Sequence, residues 1–496
     1  MDVRRTFAWL ALVALATAAP RVAAAQDAAS MEAMQRQLEA VLEQNRALTE
    51  RIDGLEDEVR SARDEAARAR AIASEAPPVS APARDSALFS APLGGGARFQ
   101  LMDVSLDVLT AAGASSVEDE FLELLQGGGH DPRRRGFSLP AAELSFAGAV
   151  DPFFTGEAHL LYFLDPEGES AFEIEEAFVQ TQMLPFGLER HGLQLELGHF
   201  FTEFGRINPT HPHAWHWQDQ PVVSSRFFGE DGMRNPGVRA GWLLPVPWFS
   251  ELHLGAQNAQ GETMVSFNAS DEVFEERPVG GRPFGSDGTR SLGDLVYLAR
   301  WVNGFDLGDT VSGQLGVSGL LGPNATGPDG RTVIYGADLV LKWKPLATDR
   351  GWPFVVFESE IMARHYKADS FFGCPVEEQE EEDCDDPLAL SGDTLHDWGG
   401  YAQLLYGFRR GWAAGLRYEY ATGSGDSVEL FDGRSGDPFR DDRHRISPLL
   451  VWYPSEFSRV RFQYNYDRAE FLDEDDAHSF WVGLEFLFGS HPAHRF

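Results

Sequence analysis

A two-residue alternation of apolar and polar side chains, repeated in segment after segment, constrains this chain more than any other feature. The last segment shows it plainly: Phe480, Val482, Leu484, Phe486 and Phe488 share one face, with Trp481, Gly483, Glu485 and Leu487 on the other. A period of two puts alternate residues on opposite faces of a strand. In the same way Val460, Phe462, Tyr464 and Tyr466 oppose Arg461, Gln463, Asn465 and Asp467, and Leu252, Leu254 and Ala256 oppose Glu251, His253 and Gln257. Leu416, Tyr418 and Tyr420 oppose Arg417 and Glu419. A soluble sandwich would not leave so apolar a face outside. The pattern predicts an all-β fold, a transmembrane antiparallel barrel, because hydrocarbon offers an open sheet edge no partner. Its inward polar residues predict a wet lumen rather than a packed core.

Sixteen strands are expected, near 98–112, 137–150, 155–164, 171–184, 193–202, 237–244, 249–258 and 293–303 in the first half. The second half places them near 310–321, 331–344, 354–366, 395–406, 412–421, 443–453, 458–467 and 478–489. Tight turns such as Asp151–Phe154, Pro185–Leu188, Pro245–Trp248, Asp306–Asp309 and Pro454–Phe457 alternate with long segments such as 259–291, 367–394 and 422–441. Short turns on one side and long loops on the other are the asymmetry of outer-membrane barrels. Trp242, Trp248, Trp343, Trp412 and Trp452 near strand ends would form interfacial girdles.

The chain begins with Arg4 and Arg5, an apolar stretch from Phe7 to about Ala19, and Ala23-Ala24-Ala25, the form of a signal peptide over 1–25. Residues 26–74 carry a heptad pattern whose core holds Leu38, Val41, Asn45, Leu48, Ile52, Leu55 and Val59. That spacing predicts a periplasmic coiled coil and hence a homo-oligomer; a trimer would suit a pore. A Pro/Gly-rich linker is expected over 75–97 and the barrel over 98–496. The net charge of −36 disfavours nucleic acid and draws cations toward any opening. Cys374 and Cys384, the only cysteines, are read as a local disulfide of an exported protein. The acidic stretch Glu377–Asp386 beside them suits a solvated loop that bridges divalent ions to lipopolysaccharide.

One connection is chemically loaded. Thr202–Pro236, the third long loop, contains three prolines before Val222, several aromatics, and the sequence His211-Pro212-His213-Ala214-Trp215-His216. As a loop that folds inward, it offers Arg206, His211, His213, His216, Asp219, Arg226, Glu230, Asp231 and Arg234 as constriction residues, with charges of both signs. His211, His213, His216 and Asp219 could also bind a divalent transition metal, the one cofactor considered. The same histidines could simply pin the loop by hydrogen bonds.

Glu175-Glu176-Ala177-Phe178-Val179-Gln180, Leu197-Gly198-His199-Phe200, Phe204-Gly205-Arg206-Ile207-Asn208-Pro209-Thr210-His211-Pro212-His213 and the ending Gly489–Phe496 carry a resemblance. With the signal, heptads and barrel, the chain resembles the phosphate-selective porin O/P group of Gram-negative outer-membrane porins. Some similar proteins bear the labels zinc-regulated or TonB-dependent receptor, yet a plug domain has no counterpart in the heptad and linker segments. The resemblance implies that Phe496 is read by the barrel-assembly machinery. It also implies a basic lumen, for which the chain offers few lysines. The expected function is therefore a passive, cation-leaning porin, with a metal-ion receptor or uptake channel as the alternative. No catalytic residues stand out.

Overall fold

The computed structural model describes residues 103–489, except 167, 271–272, 274–276, 286–287, 374–387, 426, 429–436 and 475, together with the backbone of 90–93 and 97–100. The signal peptide, the coiled-coil segment, the Cys374–Cys384 pair, the Glu377–Asp386 stretch and Phe496 lie outside the described residues.

Sixteen antiparallel strands close into one barrel. In chain order these are β1 (Asp103–Ser115), β2 (Gly136–Ala149), β3 (Phe154–Leu164), β4 (Ser170–Thr181), β5 (Leu193–Phe201), β6 (Arg234–Leu243), β7 (Ser250–Asn258) and β8 (Leu295–Asp306). The circuit continues through β9 (Val311–Pro323), β10 (Arg331–Trp343), β11 (Phe354–Ala368), β12 (Asp393–Arg409), β13 (Trp412–Ser424), β14 (Arg443–Ser455), β15 (Ser458–Ala469) and β16 (Asp476–Gly489). β16 pairs back onto β1, Phe480 opposite Ala114 and Gly489 opposite Ser105, so no strand is left as an edge. Each expected strand has its counterpart. The main shift is at the start. Ala97–Gln100 pairs with Ser90–Leu93 in a separate small hairpin that straddles the boundary expected between linker and barrel, and the barrel begins at Asp103.

The faces follow the alternation. On β16, Phe480, Leu484, Phe486 and Phe488 are exposed on the outside, while Trp481 and Glu485 are fully buried within. Outward Leu254, Ile361, Leu416 and Trp452 repeat the pattern on other strands. Trp412 and Trp452 stack at 6.0 Å near the short-turn end. The expectation of an open, wet lumen needs correction. The loop joining β5 to β6 turns into the barrel and covers the inward polar rows, so Arg417, Arg445, Arg461 and Asn465 are buried. It also brings its own apolar core, Phe204, Ile207, Val223, Phe227 and Phe228, against inward Leu298, Leu320, Ile334 and Met362. Alternation reports which side of a strand is apolar, but not what a distant loop lays against the other side.

The closing seam also depends on small residues. Inward Gly113 lies opposite Trp481, and a Cβ there would meet the indole at 2.1 Å. Gly113→Val should destabilise the closed barrel by about 1–3 kcal/mol through overpacking. The check is the temperature at which the compact form converts to the unfolded form on unheated gels, which should fall.

Candidate functional site: the loop folded into the barrel

The inward loop, Thr202–Met233, is drawn together at its neck by one side chain. Asn208 donates to the carbonyls of Thr202 (2.7 Å) and Met233 (3.0 Å) and accepts from the Met233 amide at 2.7 Å. Gly205 sits at φ +64°, and a Cβ there would lie 1.5 Å from a Glu360 carboxylate oxygen. Only glycine meets both requirements. Beyond the neck, Pro212–Ala214 forms a short 3-10 turn and α1 (Val222–Phe228) a two-turn helix whose residues are all buried.

The loop's central anchor is Asp219, fully buried against the wall formed by β13–β15. Its carboxylate pairs with Arg417 and Arg445, the latter at 3.0 Å, and accepts from Asn465 at 2.6 Å. Burial works to raise its pKa, but the two guanidiniums outweigh burial and hold it below the usual carboxylate range. Around this anchor, Arg417 donates to the Asp219 carbonyl at 3.0 Å, Gln463 accepts from the Gln218 amide at 2.8 Å, and Glu419 from the Val222 amide at 2.7 Å. The Trp217 indole donates to the Ser447 carbonyl at 2.9 Å and seats among Phe354, Leu405, Leu449 and Val451. Arg461 reaches the Trp217 carbonyl at 3.0 Å while pairing with Glu485 at the same distance. Other buried arginines on the strands have acids as well: Arg300 with Asp338, Arg364 with Asp397, and Arg443 and Arg445 with Asp467.

The residues read as one constriction set divide among several walls. Arg206 pairs with Glu358 at 3.3 Å, and half-buried His216 lies 3.9 Å from the same carboxylate. Burial pulls the His216 pKa down to about 4, which Glu358 only partly opposes, while Arg459, Arg206 and Lys342 add to the fall. Arg226 donates to the carbonyl of Asp441 at 2.6 Å, and burial brings its pKa down to about 9. Glu230 takes a two-pronged contact from Arg133 at 2.6 and 3.0 Å, and Asp231 lies 3.6 Å from His130, so both belong to the contact with the β1–β2 loop. Burial raises the Asp231 carboxyl above the usual range. Arg234, at the start of β6, pairs with Glu173. These charges are bound to partners rather than arrayed across a bore, so the expected transverse field from them is not what the geometry displays.

The expected metal set also divides. Asp219 and His216 stand with the groups just described, whereas His211 and His213 stack at 5.4 Å beside β2–β4. There His211 Nδ1 is 2.8 Å from Glu175 and 3.4 Å from Glu143, its Nε2 is 2.9 Å from Glu176, and His213 Nδ1 is 2.9 Å from Glu143. His159 adds a third imidazole, 2.8 Å from the other Glu143 oxygen. Burial opposes protonation of His211, but Glu143 and Glu175 hold its pKa well above the ordinary imidazole value; His213 is raised too, burial again being outweighed, here by Glu143. Two consecutive acids face inward because β4 carries a bulge. Opposite His159 lies Glu176, opposite Leu160 lies Ile174, and Glu175 is the extra residue between them. The sequence reading quoted Glu175-Glu176 but gave them no role. The departure from alternation at Ile174-Glu175-Glu176 was the available signal.

No family model matches the chain. A protein of Aquifex aeolicus (strain VF5), described as uncharacterized, is 31% identical over 389 residues, 74% of this chain and 73% of that one. The chain belongs to that protein's family. Among solved structures it is similar to OprB of Pseudomonas putida (TM-score 0.45, 11% identity, 78% of this chain and 94% of that chain). It is also similar to the outer membrane channel DcaP of Acinetobacter baumannii (0.44, 10%, 78% and 97%) and an anion-selective porin of Comamonas acidovorans (0.43, 8%, 78% and 99%).

Two outcomes follow from the anchor and its neighbour. Asp219→Ala removes the carboxylate that Arg417 and Arg445 share and leaves them to Glu419 and Asp467, which should cost about 1–3 kcal/mol of loop docking; limited proteolysis should then cut within the loop in an otherwise folded barrel. His216 has an ordinary pKa of 6.5 when undocked and about 4 in place. Its folded pKa is depressed, so the docked state is fully favoured above pH 6.5 and weakens as pH falls from 6.5 toward 4. Loop cleavage followed across that window should rise in the wild type, and His216→Gln should flatten the rise.

Proposed function

We propose that this protein is a Gram-negative outer-membrane channel for the passive diffusion of small hydrophilic solutes or ions, without enzymatic activity. The observation that carries the reading is a closed sixteen-strand barrel with an apolar outer face and charged inner rows, narrowed by the Thr202–Met233 loop. Closure supports membrane residence, since every backbone polar group of a closed sheet finds its partner within the sheet. The outer face supports it independently. Exposed Leu254, Ile361 and Leu416 lie between a short-turn end with Trp242, Trp248 and Trp452, and a long-loop end where Tyr418 meets His444 and Tyr464 meets His478. Aromatic residues at both ends of an apolar band suit the two membrane interfaces.

The channel is cation-leaning. A net charge of −36 surrounds its openings, and the buried arginines of β8–β16 already have carboxylate partners. The phosphate preference implied by the porin O/P resemblance would need unpaired cations along the path, and this pairing argues against it. The reading includes a homotrimer joined through barrel walls and a periplasmic coiled coil, contact with lipid and lipopolysaccharide, and insertion by the barrel-assembly machinery. Purified protein in planar bilayers should produce discrete conductance steps, and a potassium chloride gradient should give a reversal potential of cation sign. Absence of steps overturns the channel; an anion sign overturns the preference.

A further inference from the structure

We propose that the inner wall beside the neck of the loop holds one divalent transition-metal ion of the zinc class, bound by His211 Nδ1, His213 Nδ1, Glu143 and Glu175. The site is distinct from the charge pairs that hold the loop against β13–β15 and does not rest on the channel reading. Its ligands come from β2, from the bulge of β4 and from the loop. Glu143, His211 and His213 can each present a ligand atom within 4.8 Å of the others. Glu175 Oε2 lies 2.8 Å from the same His211 nitrogen. A tetrahedral ion with bonds of about 2 Å needs ligand atoms about 3.3 Å apart, so movements of about an ångström would close the Glu143–His211–His213 group, and Glu175, outside that group, would have to swing in further as the fourth ligand. Two imidazoles and two carboxylates are a donor set suited to zinc and its neighbours, and poorly matched to calcium or magnesium, which favour oxygen alone.

Three further observations favour a ligand over a purely structural pin. Glu175 is 1% exposed, and its Oε1 has no hydrogen-bond partner. A buried carboxylate left half-satisfied is costly, and a pin would not require it. In addition, three carboxylates converge on His211 alone, two of them on the same Nδ1. Finally, the outer contacts are already those of a ligating shell. His211 Nε2 faces Glu176, whose other oxygen accepts the Phe201 amide at 2.8 Å. His159 bridges the second Glu143 oxygen and Ser145, at 2.8 and 3.0 Å. A carboxylate behind a ligating imidazole fixes the ring and raises its basicity. A bound ion would tie the neck of the loop to β2–β4, while Asp219 ties its middle to β13–β15 across the barrel.

The test uses the full chain in detergent, stripped with chelator, then titrated with Zn2+ by calorimetry, with metal content measured after desalting. Co2+ substitution would report geometry through its visible absorption. The expected result is about one ion per chain, with affinity reduced at least about 10-fold in His211→Asn/His213→Asn and also in Glu175→Gln. His216→Asn, outside the cluster, should bind as the wild type does. Wild-type uptake no greater than that of the double variant overturns the site. If the double variant fails to fold, Glu175→Gln decides: weaker binding in a folded barrel supports the site, and unchanged binding overturns it.

Discussion

A buried carboxylate held between two guanidiniums organises the interior of this barrel. Asp219 reaches the far wall only because the loop between β5 and β6 turns inward, and once there it pairs with Arg417 and Arg445 away from the surface. Removing the carboxylate would leave two buried guanidiniums with one acid fewer between them, which is why such contacts fix geometry more firmly than exposed ones. The rest of the loop follows from that anchor. Trp217 and α1 fall into the apolar inner patches, and the backbone amides of Gln218 and Val222 find side-chain acceptors on strands far away in sequence.

The barrel therefore has two kinds of inner wall. Along β8–β16 the charged rows are buried, their arginines paired with acids, and they serve the loop. Along β2–β4 the interior gathers histidines and acids, and the bulge at Glu175 makes it possible by turning two successive carboxylates to the same side. A single inserted residue thus changes what one strand can bind. A regular β4 would have sent either Glu175 or Glu176 outward among the apolar side chains.

Much of this was legible before any coordinates. The strand count and the faces of β7, β13, β15 and β16 follow from period-two patterning; a stiff, proline-rich connection allowed the third long loop to turn inward but did not require it. Partner choice was not legible. His211, His213, His216 and Asp219 look like one ligand set because they are near in sequence, yet the loop crosses the lumen between them and delivers them to different walls. Arg226, Glu230, Asp231 and Arg234 look like pore-facing charges until the β1–β2 loop and Glu173 are seen to hold three of them.

By itself, the sequence determined that the chain would close into a sheet with an apolar exterior, because alternation is a local property and each strand carries its own copy of it. Tertiary structure decided what fills the interior and which acid meets which base. Those contacts join residues such as Asp219 and Arg445, or His211 and Glu175, whose proximity depends on closure of the barrel and the path of one loop through it. Pairings of that kind leave no periodic trace along a chain.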